Sequence, residues 1–420
     1  MKVLWLSNCP LIESKITSTG TWIQPIAEGL LATGSFKLAV IAFADVPQFM
    51  RRDYREVPQW LVPVRARLAR DGLPKKSLVE EIVKACEWFQ PDIVHSWGVE
   101  SYWGLLTARG YIRVPALLEM QGMKKACAKF FTADLTVKEL FQCIGIKEVL
   151  KRKVIISYKN DFARWGRFEE EIIRGHHFID VQSEWMSAQV SAIQPQAQQF
   201  FVDLALRQQF YAAQPWSDFE IERATQGTSQ HIFCSSSGPI PYKGIHVALR
   251  ALAELKREFP QVRLRVAGVF QRKGLRQEGY VRWLNHLCRE LKVANSVEWL
   301  GPLDADQMIH ELQLCAVNVV CSFVESYCLT LAEPMYLGVP CVTSYNGGTS
   351  WIAEDQKTAL FSPSGDAVTC AHQIGRIFRE RELRRRLSVQ ARSAGMKRHD
   401  PENVVRRQKA IYQEIVGKTI

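Results

Sequence analysis

Short apolar runs of strand length alternate with amphipathic stretches along this chain, and the alternation occurs twice. In the first part, strands are expected at 2–7 (KVLWLS), 38–43 (LAVIAF), 92–97 (DIVHSW) and 115–120 (PALLEM), with a later one at 178–183. Between them, 20–34 and 76–89 repeat apolar residues at helical spacing. The basic stretch 135–175 and residues 184–200 also read as helical. A second set follows at 231–237, 262–268, 296–301, 318–322 and 340–344, joined by helices expected over 244–258, 275–291 and 304–314. Strands that alternate with helices build a parallel sheet covered on both faces. The fold class is therefore α/β, with two doubly wound parallel-sheet domains. A length of 420 residues fits two domains. The Gln-rich passages 194–199 and 219–230 read as the linker zone, which sets the domains at 1–205 and 228–400. The last stretch, 401–417, reads as one more helix.

Composition narrows the class further. Hydrophobic content of 47% and charged content of 23% suit a water-soluble globular protein. The longest apolar runs, such as LAVIAFA at 38–44, are strand-sized, so no membrane span is expected. The amino-terminal MKVLWLSNCP is too short an apolar stretch for a signal peptide and reads as the first strand. Eleven cysteines are scattered singly without a C-x-x-C. Several, including Cys234, Cys321 and Cys341, fall in expected strands, where a thiol packs as a small hydrophobe. Neither a zinc site nor a disulfide framework is indicated, and a reducing cytoplasm fits. The net charge of +11 is spread along the chain. Its local clusters at 124–131 and 147–159 mix lysines with apolar and aromatic residues. That mixture suits a helix lying on anionic lipid, and equally an ordinary solvated face. No nucleic-acid recognition motif accompanies the charge.

Two glutamates eight positions apart, Glu325 and Glu333, stand in SFVESYCLTLAEPMYLGVPCVTS (322–344). The order is strand, turn, helix, with Gly338 and Pro340 closing the helix. Glu325 then lies at the carboxyl end of a strand, where open α/β sheets bind ligands. Glu333 follows two turns along a helix that opens at 326–330, and at ~1.5 Å per residue the carboxylates stand roughly 12 Å apart. Amides at a helix start favour an anion. The plainer alternative is a loop glutamate and a helix glutamate in a salt bridge. Asp304-Ala305-Asp306 mimics a D-x-D metal motif, but both aspartates flank a helix start, where they cap amides.

The Glu325–Glu333 segment resembles the E-x7-E donor site of family 4 retaining glycosyltransferases, which have the GT-B fold, and the likeness extends along nearly the whole chain. PYKGIHVALRAL (241–252) is similar to the family's K-G-x-x-x-x-L-x-A segment, with Lys243 at the donor diphosphate. Gly20, in Thr19-Gly20-Thr21, stands as the family's Gly loop does. PDIVHSWG (91–98) keeps His95 of P-D-x-V-H-x-H-G and carries Trp97 at the second histidine. Gln121 occupies the place of a family histidine, Gly238 that of an arginine, and Ser326-Tyr327-Cys328 that of Gly-Phe-Gly. Gly347-Gly348 reads as a turn shaping the nucleotide pocket, ahead of Trp351 where an acidic residue is common.

The resemblance implies two Rossmann-like domains facing a cleft, with 401–420 crossing back onto the first, acceptor-side domain. It implies an enzyme that moves a hexose-type sugar, with retention, from a nucleoside-diphosphate sugar to a glycan or lipid-linked acceptor in polysaccharide or glycoconjugate synthesis. Glu325 and Lys243 would act in catalysis. Glu333, Gly20, Ser326, Tyr327, Cys328, Leu329, Gly347 and Gly348 would hold the donor, and His95 and Gln121 would face the acceptor. His95 fits a core histidine as well. No metal or other cofactor and no nucleic acid is expected. Localisation is expected to be cytoplasmic, with peripheral contact at the anionic inner face of the membrane left open. The rival reading is a non-catalytic or epimerase-like nucleotide-sugar-binding protein on the same fold. Glu333→Ala is expected to abolish transfer and leave the fold intact.

Overall fold

The computed structural model describes residues 1–13, 20–218, 230–270 and 277–419. Thr19, most of the second linker passage (219–229) and the first residues of the helix expected at 275 lie outside them. Eight strands form the first sheet: β1 (Lys2–Ser7), β2 (Lys37–Ala44), β3 (Met50–Arg51), β4 (Gln59–Pro63), β5 (Ile93–Trp97), β6 (Ala116–Glu119), β7 (Phe178–Val181) and β8 (Gln198–Phe201). Their order is β3-β4-β2-β1-β5-β6-β7-β8, parallel throughout except where β3 meets β4. The second sheet holds β9 (His231–Ser235), β10 (Arg263–Ala267), β11 (Val297–Gly301), β12 (Val317–Val320), β13 (Cys341–Ser344) and β14 (Leu360–Ser362). It is wholly parallel in the order β11-β10-β9-β12-β13-β14. Counted from β9, that is the 3-2-1-4-5-6 order of the Rossmann sheet, whose crevice opens between the first and fourth strands. The α/β, doubly wound GT-B class is the observed one.

Local chemistry explains where the elements differ from expectation. The stretch 135–175 is three helices, Val137–Gln142, Ile146–Lys151 and Ile155–Arg174. Breaks fall at Gly145, in an extended conformation, and at Arg152, which is left-handed at φ 48°. The helix expected over 184–200 stops at Ile193, ahead of Pro195, and 198–201 instead pairs beside β7. The passage read as linker at 194–199 thus runs into the first sheet. β4 and β14 went unread because each is a short run of mixed residues bounded by prolines: 58 and 63 for β4, 363 for β14.

Cores lie on both faces of both sheets. Trp5, Trp97 and Trp103 are fully buried in the first half, and Trp283 and Phe233 in the second. Helix Pro401–Thr419 packs on helix Ile23–Ala32, where Gly29 makes room for Val405. It buries Tyr412, whose hydroxyl accepts from Trp5 Nε1 at 3.0 Å and lies 2.7 Å from His95 Nδ1. Residues 131–153 make a second crossing, from the first half onto helix Gly279–Glu290. Gly279 N donates to Glu148 Oε1 (3.0 Å), and Arg282 donates to the carbonyls of Gln142 and Ile144 at 2.8 and 2.7 Å. A side chain at Gly279 would collide with the Cys143 carbonyl.

Tyr412→Phe removes one oxygen and leaves Trp5 Nε1 and His95 Nδ1 unpaired in the core. The expected loss is about 1–3 kcal/mol, read as an earlier urea transition of the first domain by tryptophan fluorescence. An unchanged midpoint would contradict this account of the terminal helix.

Candidate active site

The loops at the carboxyl ends of β9 and β12 flank the crevice of the second sheet, and they carry Lys243 and Glu325. After β9 the chain makes a single 3-10 turn, Pro241–Lys243, then Gly244 at φ 71°. A side chain at Gly244 would collide with the Cys321 backbone, so the glycine lets this turn press against the end of β12. Lys243 Nζ thereby reaches Glu325 Oε1 at 2.7 Å. Burial pushes this ammonium down, but the charge and hydrogen bond of Glu325, together with Tyr242 and Cys328, hold Lys243 above the usual lysine value.

Helix Leu329–Leu337 begins toward the end of the expected 326–330 opening, because Cys328 adopts a left-handed conformation at φ 103°. Residues 326–328 are loop. The non-glycine residue at this φ carries strain, on the order of 1–3 kcal/mol, that a glycine would not. Burial pushes the Cys328 thiol up. Glu333 falls in the second turn of the helix and is only 6% exposed. Arg207 grips it with Nε to Oε1 at 3.0 Å and Nη2 to Oε2 at 2.9 Å. Burial pushes the Glu333 carboxyl up, and the guanidinium pulls against that.

A cavity of about 540 Å³ opens over these groups and reaches the first half of the chain. Gly20, Gln121, Lys243, Glu325, Ser326, Tyr327, Cys328, Leu329 and Glu333 all border it. The loop 326–328 is held from the other half: Ser326 Oγ donates to the Gln121 carbonyl (2.5 Å), Ser183 Oγ to the Ser326 carbonyl (2.9 Å), and Tyr327 Oη to Asp203 (2.9 Å).

Three expected site residues lie elsewhere. His95 is fully buried, stacked on Trp97 at 4.2 Å, bonded to Tyr412 and 3.5 Å from Glu119. Burial lowers its pKa, and it is a core histidine with no face on the cavity. Gly347 and Gly348 sit behind the loop and do not line the pocket. A side chain on the first would meet Trp185 and on the second the backbone of Ser326 and Tyr327, while Gly348 N donates to the Glu325 carbonyl at 2.8 Å. They position the loop. Gly238 has open space around it, so no packing forbids a larger residue there. Asp304 caps helix Ala305–Leu314 by accepting from Gln307 N. Among the described residues no group of three or more His, Cys, Asp or Glu could hold a metal.

Sequence reasoning missed three charged residues that line the cavity: Arg207, Glu100 and Lys124. Arg207 comes from the connector after β8 and belongs to no motif. Its signal is only that a buried carboxylate must find a cation. The same pair corrects the expectation for Glu333→Ala, which would strand a buried guanidinium and so disturb the fold.

Arg207→Ala leaves Glu333 buried without its partner, at an expected cost of about 3–5 kcal/mol. Arg207→Met with Glu333→Leu should recover much of that in thermal unfolding. Equal losses for the single and double variants would argue against the pair as the source.

Residues 218–394 match the model of the family described as glycosyl transferases group 1. A D-inositol 3-phosphate glycosyltransferase from Stackebrandtia nassauensis is 28% identical over 153 residues, 36% of this chain and 34% of that protein. An N-acetyl-alpha-D-glucosaminyl L-malate synthase from Bacillus anthracis is 26% identical over 31% of this chain and 34% of its own length. These alignments thus span about a third of the relatives they match. The sucrose-phosphate synthase structure from Thermosynechococcus elongatus superposes over 100% of both chains with a TM-score of 0.76 at 16% identity. Anabaena HepE in complex with UDP-glucose covers 100% of this chain and 99% of its own, with a TM-score of 0.65 at 16% identity. Residues 218–394 are thus similar to the glycosyl transferases group 1 family, and the whole chain has the two-domain GT-B fold of these structural neighbours.

Proposed function

We propose that this protein is a retaining glycosyltransferase that takes a hexose-type sugar from a nucleoside-diphosphate sugar. The observation that carries the reading is the Lys243–Glu325 pair at the crevice of the family-matched sheet, facing the first half across one cavity. The relatives' names point the same way: glycosyltransferases of inositol phosphate and malate, and a neighbour that holds UDP-glucose. In this reading Lys243 leaves Glu325 for the diphosphate, and the amides opening helix Leu329–Leu337 face the same charge. Glu325, released, accepts from hydroxyls of the transferred sugar, and Glu333 from those of the ribose. The acceptor hydroxyl attacks the anomeric carbon on the face the diphosphate leaves, and its proton passes to the departing phosphate. No metal takes part. Lys243→Ala should lower release of nucleoside diphosphate by about a hundredfold or more, while a chelator leaves the native rate unchanged. NMR of the product reports the anomer. An epimerised donor, or nucleotide-sugar binding without turnover over a broad acceptor set, would favour the rival reading instead.

The acceptor in this proposal is a glycan or lipid-linked, reached from an anionic membrane face. Helices Val137–Gln142 and Ile146–Lys151 hold out Val137, Phe141, Ile146, Val149 and Leu150, exposed between 57% and 74%. Lys138, Lys151 and Arg152 are exposed among them, while the acidic Glu139 and Glu148 are turned inward to Arg250 and Gly279. Apolar tips ringed by cations suit anionic lipid headgroups. Vesicles containing phosphatidylserine should sediment the native protein and fail to sediment Phe141→Ser/Leu150→Ser. Equal sedimentation of the two forms would remove the membrane from the proposal.

A further inference from the structure

Across the cavity from Lys243 and Glu325, the first sheet presents a carboxyl group for which the proposed chemistry has so far had no use. Glu100 follows β5, and its side chain lies between two glycines, Gly98 and Gly122, at the carboxyl ends of β5 and β6. A side chain on Gly98, which sits at φ 96°, would collide with Glu100 Oε2, and one on Gly122 with Oε1. The notch between the strands is therefore shaped around this carboxyl. Lys124 braces its backbone, donating from Nζ to the Glu100 carbonyl at 2.5 Å, while the ammonium lies 4.8 Å from the Trp165 ring centroid.

Two polar atoms in this notch are buried with no hydrogen-bond partner among the described residues: Glu100 Oε2 and Gln121 Nε2. Both residues border the cavity, and a side chain on Gly98 would meet Glu100 Oε2 first and the amide oxygen of Gln121 next, so carboxyl and amide share one notch. Cys127 and Tyr242 each lie within electrostatic reach of Glu100 on one side and of Lys243 and Glu325 on the other, so the notch faces the reacting end of the cleft. A carboxyl oxygen that accepts and an amide N–H that donates, both unpartnered in one notch, complement two hydroxyls of one sugar. One hydroxyl donates a hydrogen bond to the carboxyl oxygen, and the oxygen of the other accepts one from the amide N–H. Buried polar groups left unmatched are costly, and such an occupant matches both. We propose that Glu100 and Gln121 form a hydroxyl-reading subsite that selects the sugar carried by the nucleotide. The inference rests on the reading of the cleft as a nucleotide-sugar site.

The test needs no acceptor. Calorimetric titration compares UDP with UDP-glucose, GDP with GDP-mannose and ADP with ADP-glucose, on the native protein and on Glu100→Gln and Gln121→Met. The proposal expects one nucleotide to bind and its sugar conjugate to bind more tightly. Glu100→Gln should erase about tenfold of that advantage and leave affinity for the bare nucleoside diphosphate within about twofold. Gln121→Met should act the same way, and carries the comparison if Glu100→Gln does not fold. An advantage that survives both variants overturns the subsite, as does an equal loss for nucleotide and conjugate, which would mark a structural role. Absence of binding by every nucleotide to the native protein overturns the donor reading itself, and the subsite with it.

Discussion

A buried guanidinium–carboxylate pair governs the geometry of the cleft. Arg207 stands on the connector that leaves the first sheet, and Glu333 on the helix behind the β12 loop, so their two hydrogen bonds fix one element to the other. Charges this deep are tolerated only when paired and further hydrogen-bonded. The connector is held again at Asp203, which accepts from Tyr327 Oη at 2.9 Å and from Arg398 Nη1 at 2.8 Å. The returning chain adds His399, whose Nδ1 donates to the Leu204 carbonyl at 2.7 Å. Burial keeps that imidazole neutral, lowering its pKa to about 4. The outgoing connector, the incoming chain and the loop that bears Glu325 therefore share one cluster of polar contacts.

The sequence carried the fold better than the site. A buried parallel strand such as β2 carries an unbroken apolar run over Leu38–Ala42, legible without context. Short edge elements such as β8 and β14 are not, because four or three residues carry too little pattern and their pairing is settled by distant chain. The site was legible where chemistry imposes spacing. Lys243 with Gly244 reads from the sequence because only glycine fits against Cys321. Arg207, Glu100 and Lys124 were illegible because each reaches the cavity through tertiary folding alone. His95 misled for the opposite reason: its neighbours match a motif, yet its partner Tyr412 lies 317 positions away.

The departures from the family pattern now have physical content. Cys328 adopts a backbone conformation that suits glycine and places a thiol in the cavity wall. Gly238 leaves open space, and the cations lining the cavity among the described residues are Lys124, Arg207 and Lys243. Lys243 and Arg207 are each matched with a carboxylate, and Lys124 is anchored on a carbonyl. In the proposed function an incoming diphosphate competes with those internal partners, which makes affinity depend on how readily each pair exchanges.

The crossing of residues 131–153 onto helix Gly279–Glu290 bears on how such a cleft can move. Arg250 bridges Asp134 and Glu139 there, and Lys147 reaches Glu278. The connector cluster, the bonds that tie Ser183 and Gln121 to loop 326–328 and this strap all join the halves, so a hinge that swings the cleft wide must first unfasten the strap.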